Sequence, residues 1–427
     1  MMIAVPSCRA PVIRCCSAFR MQADEGCGLT ASVLEPAKVL SLFTGVGGLD
    51  LGLEAAGCSI IGSLEHNPRA RDTLLKNRST WPHLTPHDVC QFRSTPPKSL
   101  NLTTGELDII AAGPPCQPFS TAAQWAANGR RGMLDSRANT VRAMLDIIES
   151  FLPRVIFIEN VAGFVLGSNS ALPEIKQRLQ SINRKAGTSY ALTWAAVDSV
   201  VYGIPQHRRR ALIVISRDGI IFTFPTPTHA ERPVSAWDAI GDIDPGPLPP
   251  LTGRWAELLP CIPEGENYQW FTSHGGGAEL FGYRTRYWSF LLKLAKDRPS
   301  WTIPASPGPS TGPFHWDNRP LTVPELLRLQ SFPSDWNVVG SHCEQVRQIG
   351  NATPPLLGEV IGREILRQLL GRSITSEMPS LGIPHSSQAV PSARPSADLP
   401  ASYLTLVGPQ PAHPGIGLGP ASRRVSP

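Results

Sequence analysis

No apolar run of membrane-spanning length occurs in the 427 residues; the longest, such as 155–158 and 211–215, have the length of buried strands, so no segment is expected to cross a bilayer. Cysteine is sparse and unpaired. Nine residues are present, Cys8, Cys15, Cys16 and Cys27 before any regular pattern, and no C-x-x-C spacing exists. That speaks against a zinc site or a disulfide framework and for a reducing compartment; no metal is expected. Neither the G-x-G-x-x-G spacing of a dinucleotide site nor the G-x-x-x-x-G-K-[ST] of a phosphate loop is found. Charged residues make up only 17%, and 39 Lys+Arg against 34 Asp+Glu leave a surplus of +5, too small to name a partner, since nucleic-acid binding depends on local patches. What remains is ordinary globular composition, 41% hydrophobic, in a chain long enough for two or three domains.

Five stretches differ in texture. Residues 1–36 have no period and carry Arg9, Arg14 and Arg20 without an acid before Asp24. They are expected to be a disordered extension, or a leader upstream of a start at Met21, in preference to an organellar presequence, because no amphipathic face is visible. Residues 37–216 alternate strand-like runs (39–43, 60–64, 107–112, 155–158, 211–216) with helix-like ones (49–56, 68–77, 139–151, 173–185). Near-continuously apolar strands alternating with helices predict a doubly wound α/β domain with a parallel sheet covered on both faces. Residues 217–318 break into Pro, Gly and Trp without a clear period, which predicts a smaller domain of irregular and β structure. Helical spacing returns at 323–330 and 356–370, so 319–371 are expected to complete the first domain. Residues 372–427, with ten prolines and one aromatic, Tyr403, are expected to be a disordered tail.

The chemistry-bearing residues sit where those strands end. The first runs into Ser41-Leu-Phe-Thr-Gly-Val-Gly-Gly-Leu-Asp50, a glycine turn onto a helix start that suits a nucleotide-type ligand. The second ends at Glu65, where a carboxylate can accept from both hydroxyls of a ribose. With no phosphate-binding spacing, an adenosine cofactor without phosphates fits better than NAD or ATP, and S-adenosylmethionine is the natural candidate. After the strand at 107–112, Gly113-Pro-Pro-Cys-Gln-Pro118 places Cys116 on a proline-braced loop at a carboxyl edge. The next strand ends in Glu159-Asn-Val161, a carboxylate able to face Cys116, and burial there would raise its pKa and suit it to act as an acid. Gln206, Arg208 and Arg210 alternate by two, so an extended segment would point them to one side.

Together these motifs make the chain resemble the DNA (cytosine-5)-methyltransferases of prokaryotic type, from about Lys38 to Leu370 and in the family's motif order: Phe43-Thr-Gly-Val-Gly-Gly48, Glu65, Asp88, Gly113-Pro-Pro-Cys-Gln-Pro-Phe-Ser120, Glu159-Asn-Val161, Gln206-His-Arg-Arg-Arg210, Arg319-Pro-Leu-Thr322 with Arg328-Leu-Gln-Ser-Phe-Pro333, and Gln348-Ile-Gly-Asn-Ala-Thr353. The resemblance implies an S-adenosylmethionine-dependent, Rossmann-like catalytic domain with a target-recognition domain at 217–318. It implies that Phe43, Gly45, Val46, Gly47, Glu65, Asp88, Val89, Gly113, Pro115 and Asn351 surround the cofactor, with Glu65 on the ribose and Asp88 on the adenine amino group.

By the same resemblance Cys116 is the nucleophile at carbon 6 of a flipped-out cytosine, Glu159 bonds N3, Arg210 contacts O2 and Arg208 braces the site. Residues 120–139 close over DNA. Arg284, Arg286, Lys293, Lys296 and Arg298, near Tyr283, Tyr287 and Trp288, are candidate readers of the double-stranded DNA. The text after Asn351, Ala-Thr-Pro-Pro, departs from the family's usual Ser-Val-Pro. The expectation is a monomeric, cytoplasmic methylase of a restriction–modification system or an orphan one, any cognate endonuclease being a separate chain. Two rivals stand beside it. A transfer-RNA cytosine-5 methyltransferase is disfavoured because its Cys-Phe-Thr signature is absent, and a catalytically silent DNA-binding homologue is disfavoured by the intact Cys116, Glu159, Arg208 and Arg210.

Overall fold

The computed structural model describes residues 35–119, 132–284, 287–374, 376 and 378–409. By contacts the chain divides into Met1–Glu35 and Pro36–Pro427, and the description below concerns the second unit. The expectations for the N-terminal extension, most of the 120–139 loop, Arg286 and the end of the tail fall outside the described residues.

Strands β1 (Ala37–Leu42), β2 (Cys58–Leu64), β3 (Ile109–Ala112), β4 (Val155–Val161), β5 (Ala191–Asp198) and β6 (Arg209–Ser216) form one sheet in the order β2-β1-β3-β4-β6-β5. Side chains of successive residues fall on opposite faces, and both faces are apolar. Val39, Ile109, Val155, Phe157, Leu212 and Val214 belong to one core cluster. Leu40, Ile110, Ile156, Ile158, Ala211 and Ile213 belong to the other. The first face is covered by α1 (Gly48–Ala55), α2 (Pro68–Asn77) and three later helices, α7 (Val323–Leu329), α8 (His342–Asn351) and α9 (Pro355–Leu369). The second is covered by α4 (Asn139–Phe151) and α5 (Leu172–Ala186), with the short α3 (Val89–Phe92) beside them. This is the expected layered α/β architecture, with α7, α8 and α9 packed on one face of the sheet.

The sheet is not wholly parallel. β1 pairs in parallel with β2 and β3, and β3 with β4, but β6 runs against both β4 and β5. A short link through a 3-10 turn, Ser199–Tyr202, joins β5 to β6, and consecutive strands so closely linked can pair only antiparallel. β5 itself has no counterpart among the expected strands: an edge strand, it is half-exposed throughout and turns Trp194 outward, so it lacks the apolar run of its neighbours. Helices α1 and α9 meet backbone to backbone, because a Cβ on Gly52 would lie 2.2 Å from the Pro355 carbonyl oxygen.

Residues 217–318 are irregular, as expected, but hold less β structure than predicted: α6 (Ala236–Ile240), 3-10 turns, and the two-residue β7 (Phe314–His315), which pairs with β8 (Arg319–Pro320). A separate core of Leu258, Ile262, Tyr268, Phe271 and Leu291 holds this region together, and Tyr403 from the tail completes it.

The tail differs from the expectation of disorder over 372–409. Buried Glu359 on α9 accepts from the Ser380 (2.6 Å) and Leu381 (2.8 Å) backbone N–H groups. Asp238 on α6 accepts from that of Ser386 (2.7 Å). Ile383 enters the first core. Further on, the Ala397 N–H donates to the Pro260 carbonyl (3.0 Å), and Tyr403, in α10 (Ala401–Leu404), is buried with its hydroxyl on the Arg254 carbonyl (3.0 Å). Composition misleads here because the segment needs no core of its own. Its few apolar side chains dock on surfaces already formed, and the buried Glu359 and half-buried Asp238 carboxylates accept from its backbone donors.

Candidate active site

The carboxyl ends of β1 to β4 and the start of β6 open onto one cavity of about 1100 Å³. After β1 the chain turns sharply through Phe43 (φ 61°) and Gly45 (φ 57°) to Gly47 (φ 81°), the residue capping α1. These left-handed conformations favour glycine, and they bring the Gly45 N–H to Glu65 Oε2 at 2.7 Å, while the Asn67 N–H reaches Oε1 at 2.6 Å. The Glu65 carboxylate is thereby fixed at the end of β2 with acceptor sites to spare. Asp88 caps α3, accepting from the Cys90 N–H at 2.8 Å. Phe43, Gly45, Val46, Glu65, Asp88, Val89, Gly113, Pro115 and Asn351 all line the cavity. Gly47 is not among the lining residues: a Cβ there would meet Leu74 Cδ2 at 2.8 Å and Trp81 Cζ3 at 3.0 Å, so its lack of a side chain makes room for α2 and Trp81.

Cys116, Glu159, Arg208 and Arg210 line the same cavity. The loop that carries Cys116 is anchored twice. Asn160 Nδ2 donates to the Pro114 carbonyl at 2.8 Å, and the Phe119 N–H donates to the Cys116 carbonyl at 2.9 Å while the Phe119 ring packs edge-on against Phe164. Asn160 stands in the Glu159-Asn-Val161 motif without a task of its own in the sequence reading; here it holds the Cys116 loop to the adjacent strand. Burial raises the pKa of the Cys116 thiol; Arg210 and Arg208 pull it down and Glu159 adds to the rise.

Glu159 is buried, as expected, but not alone. Oε1 lies 2.8 Å from Arg210 Nε, and Oε2 accepts from the Thr353 hydroxyl at 3.0 Å. Thr353 is one of the two positions where the chain departs from Ser-Val-Pro, so the departure adds a donor to the candidate acid. A Thr353→Val variant, nearly isosteric, is expected to lower turnover about tenfold while melting within a degree or so of the parent, since one hydrogen bond to a charged group is lost and little volume changes. Steady-state kinetics beside a thermal melt check this.

Arg208 and Arg210 share the cavity, whereas Gln206 is not among its lining residues. Gln206 is fully buried and bonds Gln330 (3.1 Å) and the Ile303 N–H (3.0 Å). Arg208, also buried, donates through Nη2 to the Gly350 (3.0 Å) and Ala352 (2.8 Å) carbonyls, gripping the turn that carries Asn351; burial lowers its pKa, with Arg210 adding to the fall. His207 points the other way, its Nδ1 2.9 Å from Asp198 Oδ2 and its ring over Trp301.

Two candidate readers are corrected. Lys293 and Lys296 are buried: Lys293 Nζ donates to the Ile262 carbonyl, and Lys296 Nζ lies 2.5 Å from Glu264 Oε1 with Trp316 beneath it. Burial pushes Lys293 down to about 8. These lysines tie 217–318 together internally. Arg284 stacks over Tyr287, whereas Arg298, Tyr283 and Trp288 remain exposed.

Among the described residues no group of side chains could hold a metal ion, and no helix is long and apolar enough to cross a membrane. The fold is shared with DNMT2 of Spodoptera frugiperda (TM-score 0.52, 18% identity, 78% of this chain and 99% of that one) and the methyltransferase EhMeth of Entamoeba histolytica (TM-score 0.52, 17% identity, 78% and 99%). In sequence the chain is 33% identical to the Type II methyltransferase M.SacI of Streptomyces achromogenes over 78% of its length and 93% of that protein's. It is also 33% identical to the Type II methyltransferase M.NgoFVII of Neisseria gonorrhoeae, over 74% and 83%. The C-5 cytosine-specific DNA methylase profile matches residues 37–367, and the chain belongs to that family.

Proposed function

We propose that this DNA cytosine-5 methyltransferase modifies one specific sequence in double-stranded DNA through a covalent link between Cys116 Sγ and carbon 6 of a cytosine turned out of the stack. The convergence of Cys116 and the Glu159–Arg210 pair on one cavity with the pinned Glu65 carboxylate carries the reading. The residues fit S-adenosylmethionine: Glu65 keeps acceptors for ribose hydroxyls, Asp88 offers one to an amino group, and the glycine turn leaves the backbone bare. When bound, that cofactor supplies an electrophilic methyl group for carbon 5.

The chain's own residues do the rest. Cys116 as thiolate adds to carbon 6 and opens the carbon 5–carbon 6 double bond; Glu159, taking up a proton, bonds ring N3 and stabilises the charge that develops. Arg210 must exchange part of its hold on Glu159 for the base O2, while Arg208 keeps the cavity wall in place. Loss of the carbon 5 proton and departure of the thiolate restore the aromatic ring. A base in a duplex is out of reach of this cavity, so flipping costs a few kcal/mol, offset by groove contacts from 217–318. The relatives' type supports a methylase of a restriction–modification system, and an orphan methylase has the same chemistry; a monomer in the cytoplasm, with any endonuclease on another chain, completes the proposal.

Transfer of a labelled methyl group from S-adenosylmethionine to duplex DNA and to transfer RNA, side by side, tests the reading. Label in DNA alone is expected; label in transfer RNA alone overturns it.

A further inference from the structure

Asp50, in the first turn of α1, is fully buried and lines the cavity, and neither carboxylate oxygen has a hydrogen-bond partner among the described residues. Its charged neighbours are acids. Glu54, one turn along α1, is engaged by Arg78 Nε and Trp81 Nε1, both at 2.8 Å, and Glu65 by the Gly45 and Asn67 N–H groups. Burial pushes the Asp50 carboxyl up to about 7, and Glu54 and Glu65 add to the rise; the Ser41 hydroxyl, itself on Thr44 Oγ1 at 3.0 Å, and the residue's own N–H are near enough to pull it down but do not reach hydrogen-bond geometry with either oxygen. A buried carboxyl of this kind ionises only at high cost unless a positive charge comes to it. Arg208 and Arg210, also on the cavity, are directed to carbonyl groups and to Glu159. Arg69, also on the cavity, faces Asp72 and Glu344, and among the described residues none of the cavity's arginines, Arg347 included, forms an ion pair with Asp50, so a bound ligand can bring the missing charge.

We propose that Asp50 meets a cationic centre of the bound cofactor, and that binding draws the carboxyl into its ionised form with release of one proton to solvent. The inference rests on S-adenosylmethionine as the cofactor and deepens that reading. S-adenosylmethionine carries two positive centres, an ammonium and a sulfonium. S-adenosylhomocysteine keeps only the ammonium, and 5′-methylthioadenosine has neither.

Isothermal titration of the full chain at about pH 6.5, in two buffers of different ionisation enthalpy, counts protons released by each of the three ligands. Release with S-adenosylmethionine and none with methylthioadenosine is expected; release with the homocysteine as well assigns the ammonium, and release without it assigns the sulfonium. Asp50→Asn should weaken each proton-releasing ligand about tenfold and leave methylthioadenosine unchanged. Equal release by all three, no release by any, or unchanged relative affinities in the variant overturn the proposal for Asp50. Failure of all three ligands to bind the parent chain overturns the cofactor reading together with it. Absence of release by the parent overturns the proposal whatever the variant does; because His66 and His87 also line the cavity, loss of the release in Asp50→Asn, or in Asp50→Ser should the first fold poorly, is what assigns the proton to Asp50, and release retained in a folded variant overturns it.

Discussion

Replacement of Cys116 by serine is expected to reduce methyl transfer by a factor on the order of 10⁴ or more, with DNA and S-adenosylmethionine binding held within about twofold. The hydroxyl is a far weaker nucleophile at neutral pH, and among the described residues nothing nearby is placed to activate it: Glu159 is taken by Arg210 and Thr353, and His207 points away to Asp198. The loop should hold its shape, since Asn160 and Phe119 grip backbone carbonyls that the substitution leaves intact. Methyl-transfer assays beside binding titrations check both halves.

The parent enzyme's pH dependence follows from the same thiol. Because burial raises its pKa above the ordinary 9.0, the thiol is largely protonated near neutrality. Each unit of pH gained multiplies the thiolate fraction by up to about ten until that raised pKa is approached, so single-turnover rates should climb from pH 6 toward 9. A flat profile would mean that another step limits the rate.

Truncation after Arg372 is expected to destabilise the protein by about 2–4 kcal/mol, seen as a lower melting temperature. Ile383 and Tyr403 would leave two cores, each worth roughly 1.5–3 kcal/mol of burial, partly offset by the freed chain entropy. Glu359, wholly buried, would keep Arg363 but lose the Ser380 and Leu381 donors, and a buried charge stripped of partners is costly. The strap also joins α9 and α6 to the core of 217–318, so proteolysis within 217–318 should quicken in the shortened chain. Identical melting curves for the two chains would show that these contacts carry no net stability.

The helices of the catalytic layers were legible wherever local chemistry was complete. Pro68–Asn77 follows Asn67, whose side chain accepts from the Arg69 and Ala70 N–H groups, and Asn139–Phe151 carries an apolar face at helical spacing. α8 carries an equally local signal that the periodicity alone does not use: Ser341 and Glu344 form a capping box, a signature visible in the sequence. The rest depends on partners distant in the chain. Nothing near Lys296 reveals that Glu264 waits for it, and nothing near Glu159 reveals Arg210, which β6 brings alongside by pairing antiparallel with β4. A glycine turn serves ligand and packing alike, and the packing demand on Gly47 shows only in the positions of Leu74 and Trp81.

The central claim is that Cys116 on this cavity methylates cytosine in duplex DNA. Bisulfite or long-read sequencing of plasmid DNA from a methylation-free host expressing the chain, beside a Cys116→Ser control, tests it most directly. The account predicts 5-methylcytosine in one recurring short motif, present only with the cysteine. Unmodified plasmid despite folded protein that binds S-adenosylmethionine, or the same methylation in the serine control, would contradict it.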